Sequence, residues 1–473
     1  MSVHLATDET TLATQCHNAL QCRGLSVERA ILDLAQTDAF LEAPNGNTNG
    51  DTKVLSILLS SIPSGKTAAL LGARIASHAK AGVPPVVLIP FALSGPEKAP
   101  IRSGDEHAAS LALLRARGAI LLRDPNAWLE CVVLLALHGV PKGPHGAIVA
   151  EPGGWLALSA AALQKRAEAV GERFSPRTGA TDSEQATDFV LTDTVASVKA
   201  PRTRAMHIPV GVAATTESVQ LIGLANSLAA AEAAGQASRR IAAGDGPATD
   251  IDAPREDFDD ARFERQIDKL AQAVGDHECK VLLSSYGVAI TRQAVATTPS
   301  AATRIAKKAG YPVQVKAWGP QQPSEPEGAL VLTDVATAAD VRRSFSSVCS
   351  KANAEAVIIR ETPMAGREVQ VHFRSLGPVG LVCFLYQRGR RGPVAALAPL
   401  RQIDAESMAR QVVASRAGDQ DPDWEALSAL LVRASFMIAE NPRVVAVELN
   451  RVIVGTQGQG ALVVDARAQL LPD

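Results

Sequence analysis

The chain has 473 residues, 47% of them hydrophobic and 20% charged, enough apolar material for about three domain cores, which excludes disorder over most of its length. Its 47 Lys and Arg nearly cancel 49 Asp and Glu, leaving a formal net charge of −2, so the basic excess of a nucleic-acid or anionic-lipid binder is missing. The six cysteines show no Cys-x-x-Cys spacing, a usage that suits a reducing cytoplasm rather than a disulfide scaffold.

In chain order, Ser2–Ala6 predicts a strand and Thr10–Arg23 a helix. Short runs rich in Val, Ile and Leu follow at Val54–Leu59, Pro85–Pro90 and Ala119–Leu122, interleaved with helical patterns at Thr67–Ala81, His107–Arg117 and Asn126–His138. Strands that are apolar throughout are buried on both faces, and helices between them imply right-handed crossovers in a parallel sheet. The most apolar run, Ala127 to Val140, is short and contains Glu130, so it reads as a buried helix and not a membrane span. Met1 to Thr10 lacks the basic and apolar regions of a signal peptide. Breakers at Val140–Pro144 end a first domain, residues 1–143.

A second domain, 144–243, opens with Ala147–Ala150 and turns through Pro152-Gly153-Gly154 into a helix at Trp155–Val170. A polar loop at Ser175–Thr187 precedes strands at Phe189–Leu191 and Met206–Val212 and a helix at Glu217–Ala234. Residues 244–260, rich in Gly, Pro and Asp, read as a linker to a third domain, 261–473. There Glu368–Arg374 alternates with period two, Val369, Val371 and Phe373 on one face, as a half-buried antiparallel strand does. The last third is therefore α+β.

Several segments carry possible chemistry. Ser60–Thr67 lies between a strand and a helix but has Ser60 where a P-loop has its first glycine, which favours a surface turn over a phosphate-binding loop. Pro152-Gly153-Gly154 suits either an anion-binding helix start or an ordinary tight turn. His107, beside Asp105 and Glu106, suits a phosphoryl carrier or a solvated helix cap. Lys316 ends the strand Tyr311–Lys316, where a point cation could meet phosphate. Glu361 ends another strand, and Glu368 follows one short loop later. Glu448 and Asn450 alternate onto one face of a strand, with Asp465 on a neighbouring strand across the turn Gly455–Gly460. Those three oxygen donors suit Mg²⁺, or equally a polar strand face with satisfied hydrogen bonds.

Taken together, Leu283-Ser284-Ser285-Tyr286-Gly287-Val288, Ala309–Lys316, Arg360-Glu361, Gly366-Arg367-Glu368-Val369, Leu397-Ala398-Pro399-Leu400, Val447–Asn450 and Val463–Arg467 resemble, in order and spacing, the NDP-forming acyl-CoA synthetases. These are relatives of succinyl-CoA synthetase with a carboxyl-terminal ATP-grasp domain. Upstream, Ala147–Gly154 looks like the start of the family's second flavodoxin-like domain, and residues 1–143 are similar in pattern to its first. The resemblance implies an α/β protein with two flavodoxin-like parallel-sheet domains followed by an α+β ATP-grasp domain. It also implies use of ATP and Mg²⁺, with CoA as a substrate taken through a partner. Lys316, Glu361 and Glu368 would contact the nucleotide; Glu448, Asn450 and Asp465 would hold the metal. A carboxylate or a histidine is phosphorylated in that family, and CoA thiol then captures the acyl phosphate.

The departures from the family are specific. The family's amino-terminal CoA-binding domain is expected to be missing, because the flavodoxin-like pattern begins at Val3. The phosphohistidine loop is replaced by Ser94–Gly104, with His107 beyond it. The His-Lys and paired glycines after the strand lysine become Pro323–Gly328, placing Glu325 where phosphates approach and repelling them. Tyr386–Gly392, with three arginines, keeps the family's glycine-rich stretch in outline only. The expectation is an acid–thiol ligase that works in the cytoplasm with another subunit or as a homo-oligomer, on a small carboxylate, without nucleic acid or membrane. The alternative is a catalytically degenerate scaffold or regulatory subunit; an acid–amine ligase is a third reading.

Overall fold

The computed structural model describes residues 2–8, 10–31, 53–63, 65–80, 82, 84–89, 101–150, 154–169, 177–178, 188–192, 206–211, 220–242, 258–325, 328–387, 392–413 and 420–471. The expected turn at Pro152-Gly153, the loop at Ser175–Thr187, the linker up to 257, the Ser94–Pro100 stretch and Arg388, Arg390 and Arg391 lie wholly or largely outside them. The chain divides into two compact units, Met1–Gly246 and Pro247–Asp473.

In the first unit, β1 (Ser2–Thr7), α1 (Thr10–Cys22), β2 (Ser26–Ile31), β3 (Lys53–Leu58), α2 (Gly65–Lys80), β4 (Val86–Leu88), α3 (Ile101–Ala116), β5 (Ile120–Leu122) and α4 (Pro125–Leu137) alternate along the chain. The five strands are parallel, in the order β2-β1-β3-β4-β5. A second group follows: β6 (Gly146–Val149), α5 (Trp155–Ala169), β7 (Arg177–Thr178), β8 (Phe189–Thr192), β9 (Met206–Gly211), β10 (Leu221–Ile222) and α6 (Leu224–Ala242). Its sheet runs β10-β9-β8-β6-β7, also parallel. Read from each group's first strand, both sheets have the 2-1-3-4-5 order of flavodoxin-like domains. The buried Val, Leu and Ile of the central strands explain the order: a strand covered on both faces needs helices on each side.

The helix expected at Glu217–Ala234 starts later, at Leu224, after strand β10. Gly223, with φ of +78°, makes the turn between them. His107 lies inside α3 rather than at its start. Helix α4 begins at Pro125 under an N-cap in which Asp124 accepts from the backbone N–H groups of Asn126 and Ala127. Glu130 on this apolar helix is buried because Arg23, at the end of α1, donates to both its oxygens at 2.6 and 3.1 Å. The Ile222 N–H also donates to Glu130 at 2.8 Å, and Arg23 donates to the Gln220 carbonyl at 2.6 Å. The pair thus ties the first sheet's helices to the edge of the second sheet.

The second unit contains α7 (Asp260–Ile267), β11 (Ala273–Val274), α8 (Asp276–Ser285), β12 (Gln293–Ala296), α9 (Pro299–Ala309), β13 (Val313–Ala317), β14 (Val331–Val335), α10 (Ala338–Ala352), β15 (Val357–Glu361), β16 (Arg367–Ser375), β17 (Leu381–Gln387), β18 (Val394–Leu397), α11 (Gln402–Val412), α12 (Trp424–Glu440), β19 (Val444–Val454) and β20 (Ala461–Leu470). Two antiparallel sheets form, β11-β20-β19-β16-β17-β18 and β12-β15-β13-β14. Helices α7, α8, α11 and α12 share one core with the large sheet. A separate core joins α9 and α10 to the small sheet. The expected α+β character of this region and the period-two strand at β16 are both present.

Candidate functional site

The small sheet presents its polar face through simple alternation. Val313, Val315 and Ala317 of β13, with Val357 and Ile359 of β15, enter the core under α9 and α10. The intervening residues therefore turn to the opposite face. Gln314 pairs in register with Arg360, and Lys316 lies two pairs along, opposite Ile358. Arg360 donates from Nε to Gln314 Oε1 at 2.8 Å and from Nη1 to the Val464 carbonyl at 3.0 Å. The face carrying Lys316 thus meets β20 of the large sheet.

At that meeting point Lys316 Nζ donates to Asp465 Oδ1 and, at 3.0 Å, to Asp276 Oδ2. Asp276 opens α8, where a carboxylate also meets the positive end of the helix dipole. One turn on, Lys280 lies 3.0 Å from Asp276 Oδ1 and donates to Thr291 Oγ1 and the Val464 carbonyl at 3.1 and 2.7 Å. Glu325 completes the cluster. Its carboxylate pairs with Arg360, lies 3.8 Å from Lys316, and accepts from Arg451 Nη1 at 3.1 Å, while its backbone N–H donates to Asp465 Oδ2 at 3.2 Å. Arg451 also donates to Glu368 at 2.6 and 2.9 Å. Four cations and four carboxylates thus form a continuous network among the described residues.

Burial works against the charge on Asp276, but Lys280 and Lys316 outweigh it and hold its carboxyl below the usual range. Burial also opposes the charged form of Glu325, and Arg360, then Lys316 and Arg451, overcome it and lower its pKa. For Asp465 burial wins, with Asp276 and Glu325 adding repulsion against the pull of Lys316, and its pKa is raised. Burial brings the Lys280 ammonium down to about 8.

Of the six residues singled out in the sequence, the structure brings Lys316 and Asp465 into direct contact and joins Glu368 to them through Arg451 and Glu325. Asn450 is buried on β19 (7% exposed) with no partner for Nδ2, beside Arg451, which is in register with Asp465. A register shift between Leu449 and Arg451 interrupts the pairing of the strand on which Glu448 and Asn450 are expected to share a face. Glu448 remains 36% exposed and pairs with Arg374 at 3.0 Å. Glu361, at the end of β15, accepts from the Arg292 backbone N–H and Nε at 2.9 and 2.6 Å, separate from the cluster's ion pairs. Among the described residues no group of three His, Cys, Asp or Glu is placed to hold a metal.

Sequence reasoning missed Asp276, Lys280 and Arg451, and took Arg360 only as part of a motif, without a role. The i, i+4 spacing of Asp276 and Lys280 and an arginine inside the apolar run Val357–Arg360 were the available signals. In the first unit, Ser60 donates from its backbone N–H and its hydroxyl to Asp8, both at 2.7 Å. A carboxylate of the protein itself therefore takes the N–H at the position where a P-loop would have its first glycine.

As these side chains stand, they do not fit a nucleotide triphosphate with a divalent cation. Lys316 is held by two carboxylates, both Asp465 oxygens are engaged, and the cations are already balanced.

Residues 266–470, which carry both antiparallel sheets and the cluster, match the ATP-grasp domain family. Proteins similar to the chain include several named as ADP-forming CoA ligases. It is 24% identical over 230 residues to the 4-hydroxybutyrate–CoA ligase [ADP-forming] of Nitrosopumilus maritimus, covering 45% of this chain and 32% of that one. It is 25% identical over 217 residues to the beta subunit of acetate–CoA ligase [ADP-forming] II of Pyrococcus furiosus, covering 41% of this chain and 90% of the subunit. The match thus spans about a third of the longer relative and most of the separate subunit. Among solved structures, acetyl-coenzyme A synthetase 1 of Ca. Korarchaeum cryptofilum, in complex with coenzyme A and Ca-AMPCP, aligns with a TM-score of 0.39 at 25% identity, over 44% of this chain and 97% of that one. No helix among the described residues is long and apolar enough to cross a membrane.

Proposed function

We propose that the chain is the nucleotide-side subunit of an ADP-forming acid–thiol ligase. It works with a partner subunit. The observation that carries this reading is the convergence of Lys316 from the small sheet and Asp465 from the large one, supported by relatives named as ADP-forming ligases, one of them a beta subunit. In this reading Lys316, Glu361 and Glu368 serve ATP, while Glu448, Asn450 and Asp465 serve Mg²⁺, with Asn450 bringing an unsatisfied buried amide. The cluster must open for either to enter. The three-part division at 1–143, 144–243 and 261–473 belongs to the same reading, as does a cytoplasmic setting where ATP and CoA are supplied.

A second reading, a non-catalytic scaffold or regulatory subunit, is favoured by the charge balance of the cluster around Glu325. The deciding experiment incubates the chain and its copurifying partner with ATP, Mg²⁺, CoA and a panel of carboxylic acids. ADP release that depends on both CoA and an acid is the expected result. No ADP release from the intact complex overturns the ligase reading and leaves the scaffold.

A further inference from the structure

We propose that Lys316, Arg360 and Arg451 form a polyphosphate-binding pocket that the Glu325 carboxylate fills from within, so that Glu325 is the residue a polyphosphate must displace. The three cations come from three strands, β13, β15 and β19, and converge on one side chain. Lys316 has Asp276 and Asp465 as further partners, and Arg451 has Glu368. Arg360, fully buried, has Glu325 as its carboxylate partner.

The donors of Arg360 show what the pocket is shaped for. Nε donates to Gln314 and Nη1 to the Val464 carbonyl, with Nη1 ion-paired to Glu325 Oε1, while Nη2 and Glu325 Oε1 are both buried without a hydrogen-bond partner among the described residues. A buried guanidinium donor left open is costly, and a planar fork favours an oxyanion that can engage both terminal nitrogens. Glu325 reaches Arg360 with Oε1 and Arg451 with Oε2. It spans the two guanidinium groups as a phosphoryl group would, with one oxygen fewer and half the charge of a fully ionised terminal phosphate. A polyphosphate can supply the missing acceptor at Nη2 and more charge for the three cations. The identification of the anion as a polyphosphate rests on the ligase reading; the internal occupation of the pocket rests on the ion-pair geometry alone.

Calorimetric titration of the full chain with inorganic tripolyphosphate, and separately with ATP, each with Mg²⁺, tests the proposal. Glu325→Gln keeps the shape and removes the charge, and is expected to bind tripolyphosphate at least ten-fold more tightly than the wild type. Adding Arg360→Met to that variant is expected to abolish the gain. Should Glu325→Gln fail to fold, Glu325→Asp provides the same comparison, because its shorter arm cannot span both arginines. An equal gain for ATP and tripolyphosphate identifies the phosphates as the recognised group, and a larger gain for ATP adds the nucleoside. No gain with either ligand overturns the proposal, as does a gain that survives Arg360→Met. ADP formation by the wild type without any gain in the variant rejects this inference alone. A gain in the variant with no ADP release from the intact complex rejects the ligase reading alone.

Discussion

Glu130 and Glu232 both sit on helices of the first unit, and their surroundings treat the charge in opposite ways. Glu130 is buried against Arg23 with both oxygens engaged. Removing its charge strands a buried guanidinium, so Glu130→Gln is expected to destabilise the unit by about 3–5 kcal/mol, measured by denaturant titration. Glu232 on α6 has no such partner among the described residues to offset burial, which pushes its carboxyl up to about 7. Because this folded value exceeds the unfolded one, the wild type gains stability as pH falls from about 7 towards 4.5 and lacks that gain above 7. Glu232→Gln is therefore expected to raise stability at pH 8 by on the order of 1 kcal/mol, with the difference vanishing near pH 5. Thermal denaturation of both proteins at the two pH values checks this, and a pH-independent difference refutes it.

At the scale of elements, two helical glycines that look alike in sequence have opposite requirements. In α2, a Cβ on Gly72 would meet the flexible Arg117 side chain at 3.3 Å. Gly72→Ala is expected to be neutral or to stabilise by up to about 1 kcal/mol through helix propensity. In α6, a Cβ on Gly235 would lie 2.0 Å from the Gly143 carbonyl oxygen, which is backbone and cannot turn aside. Gly235→Ala is expected to cost about 1–3 kcal/mol, and melting curves of the two variants should move in opposite directions or differ by that amount. The elements that were legible in the sequence are those with strong burial patterns: the central parallel strands, the helices between them and the β19–β20 hairpin. Strand β2, whose Ser-Val-Glu-Arg-Ala-Ile sequence reads as polar, and the two-residue strands β7 and β10 gave too little pattern to find. The register shift at Asn450 was equally hidden, since alternation along a strand says nothing of where pairing slips. Lys316 and Asp465 could be named from their motifs, but not the network around them. Asp276 is 40 residues from Lys316 and Asp465 is 149, so only folding reveals that they neutralise one another.

For the whole molecule, the division at Gly246 separates two sets of cores that share no residue. A chain of residues 247–473 is therefore expected to fold alone, with one cooperative unfolding transition followed by circular dichroism; a gradual, non-cooperative melt refutes this. Within the first unit the repeated strand order has a further consequence. Helices α4 and α6 each follow the fifth strand of their own sheet, and they pack against each other across one shared apolar cluster containing Trp128, Val132, Leu228 and Ala231. Equivalent surfaces meeting in this way are what a two-fold dimer of single modules would produce. A covalent tether fixes the stoichiometry of such a pair at one to one. It also frees each half to change independently, so that Arg23 and Glu130 can clasp the join from one side without a matching pair being required on the other.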